Sequence, residues 1–501
     1  MAEDFSLHPN LKNHSSAYEY FSHIDKFLKT ELSLGGLTGP FLTSPYSPVM
    51  TSPLMTAPKK PASCRAVFDA SFGEFSLNLN TPEKIYVGEE FEFVFPKLDD
   101  FARCIVLLGK GFYLWKRDLS IFFLQLPLDP LDFDKVGCVW RGNFFHFTSF
   151  VWGCRHAGGN GQRVSNAVSE IHRVLSRKNH GESFNIFNYS DDYAGIQRSL
   201  ELATLSFNSL SVLLSELGLQ ESLEKAVLPS TTMIYLGVLF DTVKLEMRID
   251  ENKCLELKSE LSKWSRKTVA SKQELQSILG KLMWVSRCVK YSRAFINRII
   301  FEIKKLTAQK QKITLSLDVK KDFLWWYTFM KCFNGKELII SDLISVNIAG
   351  DACPQGLGSW NLESSEYFSG LFPLSLQDPM IPIHVKEFVC VIVSVRIWGP
   401  AWKGKKVQIY CDNDAVCDVI TYNKPKDPKM QQLLREFLFF VCTYNFMPVV
   451  SKIGTKENLI ADFLSRNFNP KDANDFFLKN SLSSMKSIPL TDDLFEMQAD
   501  W

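Results

Sequence analysis

Phe184-Asn185-Ile186-Phe187-Asn188-Tyr189-Ser190-Asp191-Asp192-Tyr193-Ala194 is the stretch on which the fold turns. Phe184, Ile186 and Phe187 precede the two acids and Tyr193-Ala194 follow them, so the pattern predicts two short apolar strands joined by a tight turn. Two adjacent carboxylates set between apolar strands are costly unless a cation faces them. A pair of divalent cations about 3.5–4 Å apart needs several carboxylate oxygens, because phosphoryl transfer develops charge on both the attacking and the leaving oxygen. The motif therefore calls for a third acid. Asp118 supplies it, near the end of the predicted strand Phe112 to Leu119, and Phe123 lies five residues further on. An aromatic ring there can fill the space beneath a nucleotide sugar and exclude a 2′-hydroxyl; plain core packing is its other reading.

Outward from this stretch, 501 residues exceed one hydrophobic core and at about 100–200 residues per domain suggest several units. Hydrophobic residues make up 46% and charged ones 22%, and 40 Phe supply ample apolar area, which excludes wholesale disorder. The 12 Cys are scattered with no Cys-x-x-Cys pair, so neither a disulfide scaffold nor a zinc knuckle is expected, and the thiols fit an intracellular setting. The opening Met-Ala-Glu-Asp-Phe-Ser lacks a basic-then-apolar signal, and the apolar run Phe437 to Val450 is too short to span a bilayer, so no membrane is expected as a partner. Net charge is only +2, yet Glu251 to Lys331 holds 18 Lys and Arg against seven Asp and Glu. Such a block suits a phosphate backbone, and equally a solvated helical face.

Residues 1–60, rich in Ser, Pro and Gly, predict an extended lead-in with one helix over Tyr18 to Leu32. Residues 61–245 alternate strands (Cys64 to Asp69, Tyr113 to Asp118, Tyr235 to Phe240) with helices (Gly161 to Leu175, Leu200 to Leu217), an α+β pattern. Residues 246–342 repeat apolar positions at helical spacing through Leu275, Ile278, Leu282, Ile296 and Ile299, followed by a helix bearing Trp325-Trp326. Residues 343–466 return to strands and helices, and 467–501 are polar and irregular, predicting a loose tail. The 343–466 segment carries acids on separate elements: Asp351 ending a strand, Glu387 opening a helix, Asp412 ending another strand, and Asp462 within Ala461-Asp462-Phe463-Leu464-Ser465-Arg466. Converging carboxylates that bind two cations can activate water without a Ser, Cys or His nucleophile. Each alone reads more readily as a surface acid.

From Gly39 to Arg466 the chain resembles the reverse transcriptase and ribonuclease H region of retrotransposons, nearest the DIRS-type elements that carry a tyrosine recombinase. The likeness is carried by Gly39-Pro40, Ser52-Pro53-Leu54, Lys59-Lys60, Arg65 through Ser71, Lys116-Arg117-Asp118, Leu126-Pro127-Leu128, Trp152 through Ala157, Tyr189 to Asp192, Leu236-Gly237-Val238, Leu279-Gly280-Lys281-Leu282 and Trp325-Trp326. The acids Asp351, Glu387, Asp412 and Asp462 follow the order of retroelement ribonuclease H.

The resemblance implies fingers and palm over 61–245, a helical thumb and connection over 246–342 and an α/β ribonuclease H-like domain over 343–466. It implies two magnesium ions at each site, with manganese as a substitute, held by Asp118, Asp191 and Asp192 and by Asp351, Glu387, Asp412 and Asp462. Phe123 would gate the sugar; Lys60 and Arg65 would hold the triphosphate; Trp152, Arg155 and Tyr189 would line the nucleotide pocket; Leu236-Gly237 would grip the primer. The implied partners are an RNA template, a DNA primer, an RNA–DNA hybrid and deoxynucleoside triphosphates. Phe122, Trp152 and Gly158 depart from the smaller side chain, the less bulky one and the proline usual at these positions, and Ser451-Lys452-Ile453-Gly454 lacks a His often found there. Those departures leave open a second reading, a retroelement-derived nucleic-acid-binding protein with impaired catalysis.

Overall fold

The computed structural model describes residues 12–60, 63–74, 76–81, 85–86, 89–90, 95–333, 335–338, 343–425, 427–454, 456–480 and 485–501. It is an α+β chain of two compact units, one holding residues up to Phe101 and Gly111–Met233, the other Ala102–Lys110 and Ile234–Trp501.

In the first unit a four-stranded antiparallel sheet is built from β1 (Tyr113–Asp118), β2 (Asn185–Tyr189), β3 (Asp192–Gln197) and β4 (Val227–Ser230), in the order β4-β1-β3-β2. Helices α1 (Ala157–His180) and α2 (Leu200–Glu216) cover it. Trp115, Tyr193, Ala203, Leu210 and Leu214 are fully buried in the core so formed, each large apolar side chain contributing about 1.5–3 kcal/mol relative to exposure. The Ser199 hydroxyl accepts from Leu202 N at 3.2 Å and starts α2. The lead-in is more than a wrapping strand. Its helix is broken at Tyr20 into Ser15–Glu19 and Phe21–Leu34, the strand Leu37–Phe41 pairs with Asn143–Phe147, and Ile24, Leu28, Leu37 and Leu54 belong to the same buried cluster as Phe68 and Phe147.

The second unit opens with helices α3 (Glu251–Trp264), α4 (Lys272–Val285), α5 (Asn297–Lys304) and α6 (Leu317–Cys332). The predicted stripe is inside: Leu275, Ile278, Leu282, Phe295 and Ile299 are buried with Trp325 and Trp326. The expected strand Tyr235 to Phe240 is instead two, because Leu236 (φ 48°) and Gly237 (φ 81°) turn the chain between Thr232–Tyr235 and Val238–Asp241.

Beyond α6 lies a six-stranded sheet of β5 (Ile344–Ala352), β6 (Gly356–Asn361), β7 (Glu366–Leu371), β8 (Lys406–Cys411), β9 (Met447–Lys452) and β10 (Lys486–Ser487), in the order β9-β8-β5-β6-β7-β10. β6 runs antiparallel to β5 and β7, while β8 is parallel to β5 and β9. Helices α7 (Ile383–Trp398), α8 (Asp414–Tyr422), α9 (Pro428–Tyr444), α10 (Leu459–Arg466) and α11 (Pro470–Lys479) complete it. A buried ion pair joins α9 to α6: Arg435 donates to Asp322 at 2.9 Å, and Arg298 binds the same carboxylate at 2.8 Å. The expected loose tail is a packed segment. Residues 470–479 are helical, β10 extends the sheet beside β7, and the fully buried Trp501 donates to Glu436 Oε2 at 2.9 Å. Its polarity comes from residues facing solvent, while single large residues anchor it.

Candidate active sites

The first site is assembled by strand register. Asp192 at the start of β3 lies directly opposite Asp118 at the end of β1, and the β2–β3 turn carries Ser190 (φ 51°) and Asp191. Helix α1 fixes that turn: Ser190 N donates to Gln162 Oε1 at 2.8 Å and Ser165 Oγ donates to Ser190 O at 2.5 Å. Asp191 O also accepts from Leu119 N at 3.0 Å. Two ammonium groups meet the acids, Lys116 Nζ at 2.6 Å from Asp192 Oδ1 and Lys225 Nζ at 2.6 Å from Asp118 Oδ1. Burial and the contact with Asp118 hold the Asp192 carboxyl up at about 6, and burial followed by the Asp118 charge raises Asp191. Three acids against two ammoniums leave an excess of negative charge, which suits a divalent cation.

Gln162, Ser165, Lys116 and Lys225 were not among the expected site residues. The strand period offered a signal for Lys116, two residues before Asp118 and so on the same face. Lys225 sits in the short turn Leu223–Lys225, remote in sequence, and carries none.

Around Phe123 the structure gathers part of the predicted nucleotide pocket. Trp152 stands edge-on to Phe123 at 5.3 Å, and the Arg65 guanidinium lies 5.6 Å from the Trp152 ring. Trp152 is 64% exposed. Phe122, by contrast, is a core side chain whose ring contacts Phe123 at 5.2 Å. It fits because α1 has glycine beneath it: a Cβ at Gly161 would lie 2.7 Å from the Phe122 ring and 2.9 Å from that of Phe123. Arg155 is tied elsewhere, its N to Asn78 Oδ1 at 2.7 Å and its guanidinium to Thr81 O at 2.9 Å. Tyr189 packs on Phe95 at 5.5 Å. Lys60 ends the strand Leu54–Lys60, and its side chain lies outside the described residues.

The second site draws one acid from each of four elements. Asp351 is on β5, Glu387 on α7, Asp412 directly after β8 and Asp462 on α10. Close approach of α10 requires a missing side chain on β6, since a Cβ at Gly358 would lie 2.5 Å from Leu464. Asp351 and Glu387 are each 4% exposed, and among the described residues Asp351 Oδ2 and Glu387 Oε2 are buried without a hydrogen-bond partner. Burial, then the charges of Asp351 and Asp412, push the Glu387 carboxyl up to about 9; burial, then Asp412 and Asp462, bring Asp351 to about 6. Arg466 pairs with Asp462 at 2.8 Å. The one grouping of three or more metal-ligating atoms within 4.8 Å of one another, among the described residues, is Glu387, Cys411 and Asp412. Asp351 and Asp462 lie outside it but close enough to repel. At Ser451 to Gly454, Lys452 pairs with Asp414 at 2.6 Å.

No protein-family model matches the sequence, and no curated protein matches it. Solved structures do. A foamy viral protease-reverse transcriptase dRH in complex with double-stranded DNA superposes with a TM-score of 0.50 at 15% identity, over 90% of this chain and 72% of that one. A foamy viral protease-reverse transcriptase in complex with double-stranded DNA gives 0.50 at 16% identity, over 89% and 86%. The fold is reverse-transcriptase-like. Among the described residues no helix is long and apolar enough to cross a membrane.

Proposed function

We propose that the chain is an RNA-directed DNA polymerase with ribonuclease H activity, from a retroelement nearest the DIRS type. The observation that carries this reading is the pairing of Asp118 with Asp192 across β1 and β3, with Asp191 in the adjoining turn. Asp118, Asp191 and Asp192 would hold two magnesium ions, as would Asp351, Glu387, Asp412 and Asp462; manganese could replace them. Bound there, the metals would supply Lewis-acid stabilisation of the charge that develops on the phosphoryl oxygens and would activate the attacking hydroxyl or water.

The chain's own side chains do the rest. Glu387, whose carboxyl burial holds up at about 9, would give up its proton on binding a cation. Lys116 and Lys225 neutralise the polymerase acids until then. Phe123, braced by Trp152 and Phe122, closes the floor under the sugar and favours deoxynucleotides, and Arg65 beside Trp152 offers a guanidinium fork to the triphosphate. The foamy viral structures hold double-stranded DNA, which supports an extended duplex as ligand here. The basic helices α3 to α6 would follow its phosphates.

The test is primer extension and hybrid cleavage with purified full chain, magnesium and deoxynucleotides. Extension on an RNA template together with cleavage of the RNA strand is expected; duplex binding without either reaction would favour a purely nucleic-acid-binding descendant.

A further inference from the structure

Thiols crowd the second carboxylate site. Cys353 lies two residues beyond Asp351, Cys390 one helical turn beyond Glu387, and Cys411 immediately before Asp412. Cys411 is 1% exposed, and its sulfur lies within 4.8 Å of ligand oxygens of both Glu387 and Asp412. A second thiol borders it, Cys417 Sγ being 3.7 Å from Cys411 O. An independent observation points to a missing ligand: Glu387 is 4% exposed, and its Oε2 is buried without a hydrogen-bond partner among the described residues. A hard-cation site needs no sulfur, because magnesium takes oxygen ligands and keeps water. Sulfur with two carboxylates suits zinc, which binds thiolate at about 2.3 Å and carboxylate at about 2.0–2.2 Å in a tetrahedron whose fourth position water can fill.

We propose that Glu387, Cys411 and Asp412 form a binding site for a thiophilic divalent cation, zinc above all, that competes with the hard cation for the same carboxylates. The inference rests on the nuclease reading only for its consequence, which is that zinc silences hybrid cleavage while sparing primer extension. On binding, the Cys411 thiol gives its proton to buffer and its sulfur closes a bond to the metal; nothing is oxidised or reduced. Of the polymerase acids, none has a thiol in such a grouping among the described residues.

The experiment dialyses the full chain, free of nucleic acid, against zinc chloride and counts bound zinc, comparing the native chain with Cys411→Ser and with Cys332→Ser, which removes an exposed thiol. One equivalent should be lost in Cys411→Ser and kept in Cys332→Ser. Cobalt as a stand-in should give a thiolate charge-transfer band in the native chain that Cys411→Ser abolishes, with circular dichroism in the absence of metal verifying that the variant is folded. Equal zinc in the native chain and Cys411→Ser, or no thiolate–cobalt band, overturns the proposal. Hybrid cleavage in magnesium alone is scored separately: zinc binding with no cleavage upholds the metal site and sinks the nuclease reading, whereas cleavage with no zinc binding sinks this inference alone.

Discussion

The two carboxylate sites solve one electrostatic problem in opposite ways. In the first unit, three acids meet Lys116 and Lys225, each 2.6 Å from a carboxylate, so the site's own cations offset part of its charge. In the second, the innermost acids Asp351 and Glu387 have no such counter-ion among the described residues, and the strain appears as protonation, with Glu387 raised to about 9. Lysine on a flexible stem can leave when a better cation arrives; a proton held by burial leaves only when one arrives.

The comparison breaks most sharply by separating the two activities. Asp191→Asn with Asp192→Asn should lower primer extension by at least about 10²–10³-fold, the scale of losing one preorganised electrostatic group, and leave hybrid cleavage intact; Asp412→Asn should do the reverse. Either variant reducing both activities equally would show that the sites are not independent.

Glycine substitutions come next. Gly161→Ala forces a methyl group to 2.7 Å from Phe122 and 2.9 Å from Phe123, and Gly358→Ala forces one to 2.5 Å from Leu464 on the helix that carries Asp462. Overpacking of this kind costs about 1–3 kcal/mol. Gly161→Ala should weaken discrimination between deoxy- and ribonucleotides in extension assays, and Gly358→Ala should raise the magnesium needed for cleavage.

A smaller effect is expected at the first site's counter-ion. Lys225→Met removes a half-exposed ammonium that a bound metal would have to displace, so the magnesium concentration for half-maximal extension should fall, by less than about fivefold given the 0.2–1 kcal/mol typical of such pairs. An unchanged requirement would mean that Lys225 stays on Asp118 through the reaction.

The last is a pH slope. Glu387 folds with its carboxyl raised from 4.5 to about 9, so the folded chain keeps a proton that the unfolded chain releases. Stability of the metal-free protein should therefore fall as pH rises from about 4.5 to about 9 and level off above. Melting curves in a chelating buffer read it, and Glu387→Gln should flatten the slope; a midpoint that rises over that range would contradict the buried, uncompensated acid.

Much of this was legible from residue pattern. Tyr113–Asp118 forms as predicted, and Phe184 to Ala194 makes its hairpin, because alternation and a turn-forming Ser-Asp are local signals. The helix over Gly161 to Leu175 begins four residues earlier, at Ala157, since Gly158 and Gly159 read as breakers but sit in a helix held by its contacts. The strands Glu366–Leu371 and Met447–Lys452 were not foreseen: pairing with sheet neighbours, rather than propensity, makes them. Trp501 in its buried seat against Glu436, and Lys225 on Asp118, are contacts between positions 65 and 107 residues apart, which no local pattern encodes.

The Phe122–Gly161 contact also constrains history. A side chain larger than hydrogen at 161 is disfavoured while Phe122 remains, whereas shrinking residue 122 first leaves a void and removes the closer of the two ring contacts, that of Phe123 staying. A lineage passing between this pocket and one with a small residue at 122 loses less stability when it takes its substitutions in that order, and in the opposite order on the way back. The two positions should accordingly be inherited together.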